Sequence, residues 1–198
     1  MNNTKIQWRN KKPEEADKIP LRVTYSPEGC DCSPECCSIR KDTGAEKERI
    51  LIDLLFLDLS VCTRCQGTDE NLDSAVAEVS KVLESTDTEV VVNRVHVLSE
   101  ELARKYQFVS SPTIRVNGRD IQMDIRESLC ESCGDLCGDS VDCRVWVYRG
   151  REYTEPPKAM IIESILREIY GSHETGGETA EYVLPENLKR FYDKMKLK

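Results

Sequence analysis

The chain has 198 residues, 39% apolar and 32% charged, with a net charge of −8. That composition suits one ordinary domain with polar extensions. The negative charge speaks against non-specific binding to nucleic acid or to an anionic membrane, and no apolar run approaches the ~20 residues that span a bilayer.

Residues 1–49 read as an extension, with Pro13, Pro20, Pro27 and Pro34, many charges and no helical period. A short strand at Leu21–Tyr25 is the one element they suggest. Ordered sequence begins at Ile50. The run Ile50–Leu59 is nearly continuous apolar sequence and predicts a strand buried on both faces. Thr68 or Asp69 is the expected cap of a helix whose Leu72, Val76, Val79 and Leu83 share a face. Glu89–Val97 is β-branched and predicts a second strand. Ser99 is suited to cap a short helix over Glu100–Tyr106. Thr113–Val116 reads as a third strand, and Asn117-Gly118 predicts a hairpin turn into a fourth over Arg119–Ile125.

A cysteine-rich insert follows, spanning 127–156, with a small hairpin formed by Val145–Tyr148 and Arg151–Tyr153. Pro157 opens a last core helix, in which Ile161, Ile162, Ile165, Leu166 and Ile169 face inward and which Gly171 closes. Residues 172–181 form a Gly/Glu/Thr linker. Pro185–Lys196 is a short amphipathic helix in which Leu184, Leu188, Phe191 and Met195 share a face. That stripe either docks on its own domain or meets a partner or a second copy of the chain. The division is therefore 1–49, a domain at 50–171, and 172–198.

Ten cysteines are the main chemical signal, against only two histidines, His96 and His173. The opening Met1-Asn2-Asn3-Thr4-Lys5 lacks an apolar targeting segment, so a cytoplasmic location is expected. Cysteines there more often bind metal or do redox work than form structural disulfides. Scarce histidine argues against a zinc hydrolase site.

The cysteines fall into three groups. Cys62 and Cys65 form Cys-Thr-Arg-Cys directly after the first core strand. Cys62 suits the role of an exposed nucleophile and Cys65 that of the resolving thiol, with half of a metal site as the alternative. Asp58 is either a loop cap or a proton acceptor for the resolving thiol. Cys130, Cys133, Cys137 and Cys143 place four thiols within fourteen residues, with Gly134 and Gly138 easing the backbone. They predict a metal site, zinc ahead of an iron–sulfur cluster, with two disulfides or a redox switch left open. Cys30, Cys32, Cys36 and Cys37 pack four thiols into eight residues, a second candidate site, for a soft metal or metalloid ion.

The order strand–helix–strand–helix–strand–strand–helix, with Cys62-Thr-Arg-Cys65 after the first strand and Glu101–Gly118 leading into the hairpin, resembles the thioredoxin/glutaredoxin-like superfamily. Residues 50–171 look like a cysteine-rich branch of it that carries no assigned substrate. The resemblance implies an α/β fold: a thioredoxin-like sheet with flanking helices, the insert after the fourth strand, and N- and C-terminal extensions. It also implies that Pro112 is a cis-proline facing the dithiol, shaping a substrate groove and keeping a main-chain edge available. Thiol–disulfide oxidoreduction is the activity so implied, on a protein or small-molecule disulfide, with an electron donor outside the chain. In that topology the fourth strand returns to the dithiol end, so the insert shares a rim with Cys62 and Cys65. It would relay electrons, form part of the substrate surface, or rigidify a long insertion as a zinc knuckle. The different reading is a thiophilic metal or metalloid carrier on the same fold.

Overall fold

The computed structural model describes residues 48–171 and 181–197. The cysteines at 30, 32, 36 and 37, the Leu21–Tyr25 segment, His173 and most of the linker lie outside the described residues.

The main sheet has four strands: β1 (Glu48–Phe56), β2 (Thr88–His96), β3 (Thr113–Val116) and β4 (Arg119–Asp120), in the order β2-β1-β3-β4. β1 and β2 run parallel, from Glu48 opposite Thr88 to Phe56 opposite His96. Such a pair needs a crossover, which is α1 (Thr63–Leu83). β3 is antiparallel to β1, and β4 to β3. The early part of β1 alternates, with Ile50 and Ile52 buried and Leu51 exposed; only Leu54, Leu55 and Phe56 form a continuous buried run. The strand stops before Leu59 because the Asp58 carboxylate accepts the N–H groups of Ser60 and Val61 and turns the chain. Asp58 is thus a loop cap.

Two further expected boundaries move. α1 begins at Thr63, with Cys62 as N-cap, six residues before the expected cap at Thr68. The Gln66 N–H already donates to the Cys62 carbonyl, at 3.0 Å. Gly67 lies inside the helix, where the Glu155 side chain occupies the space a Cβ would need. A glycine that reads as a break in sequence is here a point of close approach. The Thr68 hydroxyl donates back to the Arg64 carbonyl, at 2.7 Å, instead of capping.

β4 also ends early, at Asp120 rather than Ile125. The Asn117-Gly118 turn forms as expected, with both φ angles positive. Asp120 then gives its carboxylate to Arg144, and the Gln122 side chain bonds the main chain of the insert. Its amide donates to the Val145 carbonyl and its oxygen accepts the Val147 N–H.

The insert holds β5 (Arg126–Leu129), α3 (Glu131–Cys137), β6 (Asp142–Tyr148) and β7 (Arg151–Tyr153), a second sheet in the order β5-β6-β7. β6 is its buried centre: Cys143, Arg144, Val145 and Trp146 are all out of solvent. The chain then enters α4 (Lys158–Tyr170), which packs on α1 through buried Met160, Ile161 and Ile165. α2 (Glu100–Lys105) is capped by Ser99, whose hydroxyl accepts the Leu102 N–H. α5 (Glu186–Met195) packs against α2 and α3, burying Leu188, Phe191 and Tyr192. The amphipathic stripe is therefore used within the chain. Among the described residues, no helix is long and apolar enough to cross a membrane.

Candidate metal centre

Two helix beginnings meet at one place. Cys62 is the N-cap of α1 and Cys130 the N-cap of α3, and their sulfurs are 3.9 Å apart. Beside them the Thr63 and Ser132 hydroxyls approach to 3.5 Å. Cys133 lies in the first turn of α3, and Cys143 arrives on β6, in register with Ser128 of β5. The Cys143 thiol is 3.4 Å from the Cys133 sulfur. The sulfurs of Cys62, Cys130, Cys133 and Cys143 all lie within 4.8 Å of one another, and all four residues are buried. These four cysteines could hold a metal ion.

The set crosses the sequence grouping. Cys137 ends α3, four residues beyond Cys133 and so about 6 Å farther along the helix axis. Its thiol donates to the carbonyls of Gly134 and Asp139, at 3.8 and 3.7 Å. Cys62 stands with Cys130, Cys133 and Cys143 in its stead. The insert does lie at the Cys62 end of the sheet, as expected. A further signal in the sequence is that Cys130-Glu-Ser-Cys133 repeats the spacing of Cys62-Thr-Arg-Cys65, each pair opening a helix.

Cys65 is also fully buried, with its sulfur 3.4 Å from the Ser111 hydroxyl oxygen. Ser111 precedes Pro112 through a cis peptide bond. Its hydroxyl accepts the Leu57 N–H at 3.1 Å, which leaves its O–H to meet the Cys65 sulfur.

Two expectations about this region fail. The first cysteine is not exposed: Cys62 has 0% of its surface in solvent. The main-chain edge beside Pro112 is not available either, because the Arg144 N–H of β6 donates to the Ser111 carbonyl at 2.7 Å. The insert lies on the edge that the thioredoxin-like resemblance leaves for a substrate. Pro112 itself is buried.

Arg64, inside the Cys-Thr-Arg-Cys motif, clamps backbone. Its guanidinium donates to the carbonyls of Ser128, Leu129 and Cys143, at 3.2, 2.6 and 3.3 Å. It ties the start of α1 to both strands that deliver the other thiols. From the far side, the Asn187 side chain of α5 accepts the Asp142 N–H and donates to the Asp142 carbonyl, at 3.0 and 2.7 Å. Neither role carries a motif.

The thiols shift one another's ionisation. Hydrogen bonds from Cys130 first, then from Cys133, Cys143 and Cys65, pull Cys62 well below the ordinary thiol value against the effect of burial. Bonds from Cys133 and then Cys143 lower Cys130 to about 7. Cys133 and Cys143 are pushed up, in each case chiefly by their bonds to Cys130. Cys65 is pushed up by its bond to Cys62 and by burial. Without a counter-charge, a few sulfurs become anionic and the others keep their protons as donors. A bound cation lets all four ionise.

Searches of curated proteins and of solved structures return no match. One family does match, over residues 50–165, a span that contains all six described cysteines but neither the 30–37 segment nor α5. The chain belongs to that family, whose description is "Domain of unknown function (DUF2703)".

Proposed function

We propose that this protein binds a single thiophilic metal ion through Cys62, Cys130, Cys133 and Cys143, on a thioredoxin-like frame whose leading cysteine has become a ligand. The observation that carries the reading is the closeness of four buried sulfurs drawn from α1, α3 and β6. Metal–sulfur bonds of ~2.3 Å in a tetrahedron hold sulfurs about 3.8 Å apart. The separations of 3.9 Å for Cys62–Cys130 and 3.4 Å for Cys133–Cys143 suit that spacing. An iron–sulfur cluster places its thiolates on different irons and spreads them wider, so a lone ion of the zinc type is favoured. The thioredoxin-like assignment is supported by the order β2-β1-β3-β4, the cysteine pair at the start of α1 and the cis bond before Pro112.

The test is cobalt(II) titration of the full chain, with Cys30, Cys32, Cys36 and Cys37 replaced by serine so that only the described thiols bind. One equivalent is expected to give the intense charge-transfer absorption of a tetrahedral four-thiolate site. Cys62→Ser weakens that band and loosens binding, whereas Cys137→Ser leaves both as they were. The reverse pattern returns the site to the sequence grouping.

Thiol–disulfide oxidoreduction is the second reading, favoured by one observation: Cys65 remains beside Cys62 and outside the four-sulfur set. It expects turnover of a small disulfide by the metal-loaded chain. The buried Cys62 and the occupied Ser111 carbonyl favour the metal-binding reading, which expects none.

A further inference from the structure

Cys62 has two sets of sulfur neighbours. The first is Cys130, Cys133 and Cys143, within 4.8 Å. The second is Cys65, three residues along at the start of α1, whose thiol interacts with that of Cys62 but stands outside the four-sulfur set. The Ser111 hydroxyl lies 3.4 Å from the Cys65 sulfur while accepting the Leu57 N–H. Both cysteines are free thiols in the structure. Sulfur in Cys62 can serve as a metal ligand or as half of a disulfide, but not as both.

We propose that the Cys62–Cys65 pair is an oxidant-triggered release for the metal held by Cys62, Cys130, Cys133 and Cys143. The proposal rests on the metal-binding reading and adds its regulation. The oxidant is hydrogen peroxide, and its target, the buried Cys62 sulfur, adjoins half-exposed Val61 in the chain. The Cys62 thiolate attacks one peroxide oxygen; the O–O bond breaks, hydroxide leaves, and Cys62 becomes a sulfenic acid. The Cys65 sulfur then attacks the Cys62 sulfur. The S–S bond forms, the S–O bond breaks, and the oxygen departs as water with the Cys65 proton. Two electrons pass from the two sulfurs to the peroxide. Three thiols remain at the site, one short of the set that holds the ion. A dithiol reductant restores the fourth by exchange. Ser111 is a positioning residue here, through its hydroxyl beside the Cys65 sulfur.

The experiment uses the full chain with its four N-terminal cysteines changed to serine, loaded with one equivalent of zinc. Loading is measured first, because failure to bind zinc or cobalt overturns the metal-binding reading and this proposal with it. Hydrogen peroxide is then added, zinc release is followed with a chromogenic chelator, and the products are mapped by non-reducing mass spectrometry. The expected result is one zinc released per Cys62–Cys65 disulfide, reversed by dithiothreitol. Cys65→Ser binds zinc as before but releases it about tenfold more slowly, since its sulfenic acid lacks the adjacent resolving thiol. Ser111→Ala keeps zinc affinity and changes the rate of disulfide formation. Release at the parent rate from Cys65→Ser, or a first disulfide among Cys130, Cys133 and Cys143, overturns the proposal while leaving metal binding intact. The disulfide map of the parent chain decides the matter even if a variant folds poorly.

Discussion

Arg144 is wholly removed from solvent, and its guanidinium meets Asp120 through two hydrogen bonds of 2.9 and 2.8 Å while lying 5.0 Å from the centre of the Trp146 ring. Asp120 keeps 16% of its side chain exposed. The two ends of the pair are therefore unequal. Removing the carboxylate strands a cation in the interior, whereas removing the cation leaves a carboxylate that can turn to water. Asp120→Ala is expected to cost about 3–5 kcal/mol of stability, by urea unfolding, and Arg144→Met clearly less. A larger loss from Arg144→Met would contradict this account. The pair matters to the site because Arg144 follows Cys143 and its N–H holds the Ser111 carbonyl. None of this was legible in the sequence. Asp120 read as a strand residue and Arg144 as part of the cysteine-rich insert, since a pairing across 24 positions leaves no local period.

Helices and strands were legible where apolar periodicity was strong. α4, α5 and the β1–β2 pair lie close to their expected places, because a buried stripe must recur at the period of its element. The start of α1 was not, because Gly67 reads as a break until Glu155 is seen beside it. α5 shows how an element acts on the site. Its Phe191 and Tyr192 are buried, the Tyr192 hydroxyl donates to the Val97 carbonyl, and Asn187 fixes Asp142 next to Cys143. Phe191→Ala is expected to lose about 3–5 kcal/mol. Asn187→Ala is expected to lose about 1–3 kcal/mol, by leaving the Asp142 main chain without its partner. It is also expected to speed extraction of bound zinc by a chelator. Unchanged extraction would separate α5 from the thiol site.

At the scale of the whole molecule, an ion bound at the four sulfurs would join α1, α3 and β6, three elements that the sequence spreads from residue 62 to residue 143. Ligand that binds only the folded chain raises its stability by RT ln(1 + [L]/Kd), about 4 kcal/mol at a thousandfold excess over Kd. Adding a strong chelator is accordingly expected to lower Tm, most of all for the insert. Every ligating thiol must lose its proton, so protons compete with the ion. Apparent zinc affinity is expected to fall as pH is lowered from about 8 to about 6, with proton release on binding measurable by calorimetry in buffers of different ionisation enthalpy. Affinity that stays flat over that range would speak against thiolate ligation.

Residue types and their local spacing determined how this protein's thiols are grouped: ten cysteines with few histidines, a Cys-x-x-Cys after a strand, and a second dense run in an insert. They also determined the order of the elements outside the insert, because hydrophobic periodicity and the Asn117-Gly118 turn act over short stretches of chain; β5 and α3 within the insert were not foreseen. Which four sulfurs share one space was decided only by the tertiary structure. Cys137 is nearer in sequence to Cys133 than Cys62 is, yet one further turn of α3 carries it away, while the parallel β1–β2 pair and the return of the insert bring Cys62 to Cys130. A ligand set is fixed by distances of a few ångströms across elements, and those distances arise only when the sheet, the insert and α5 pack together.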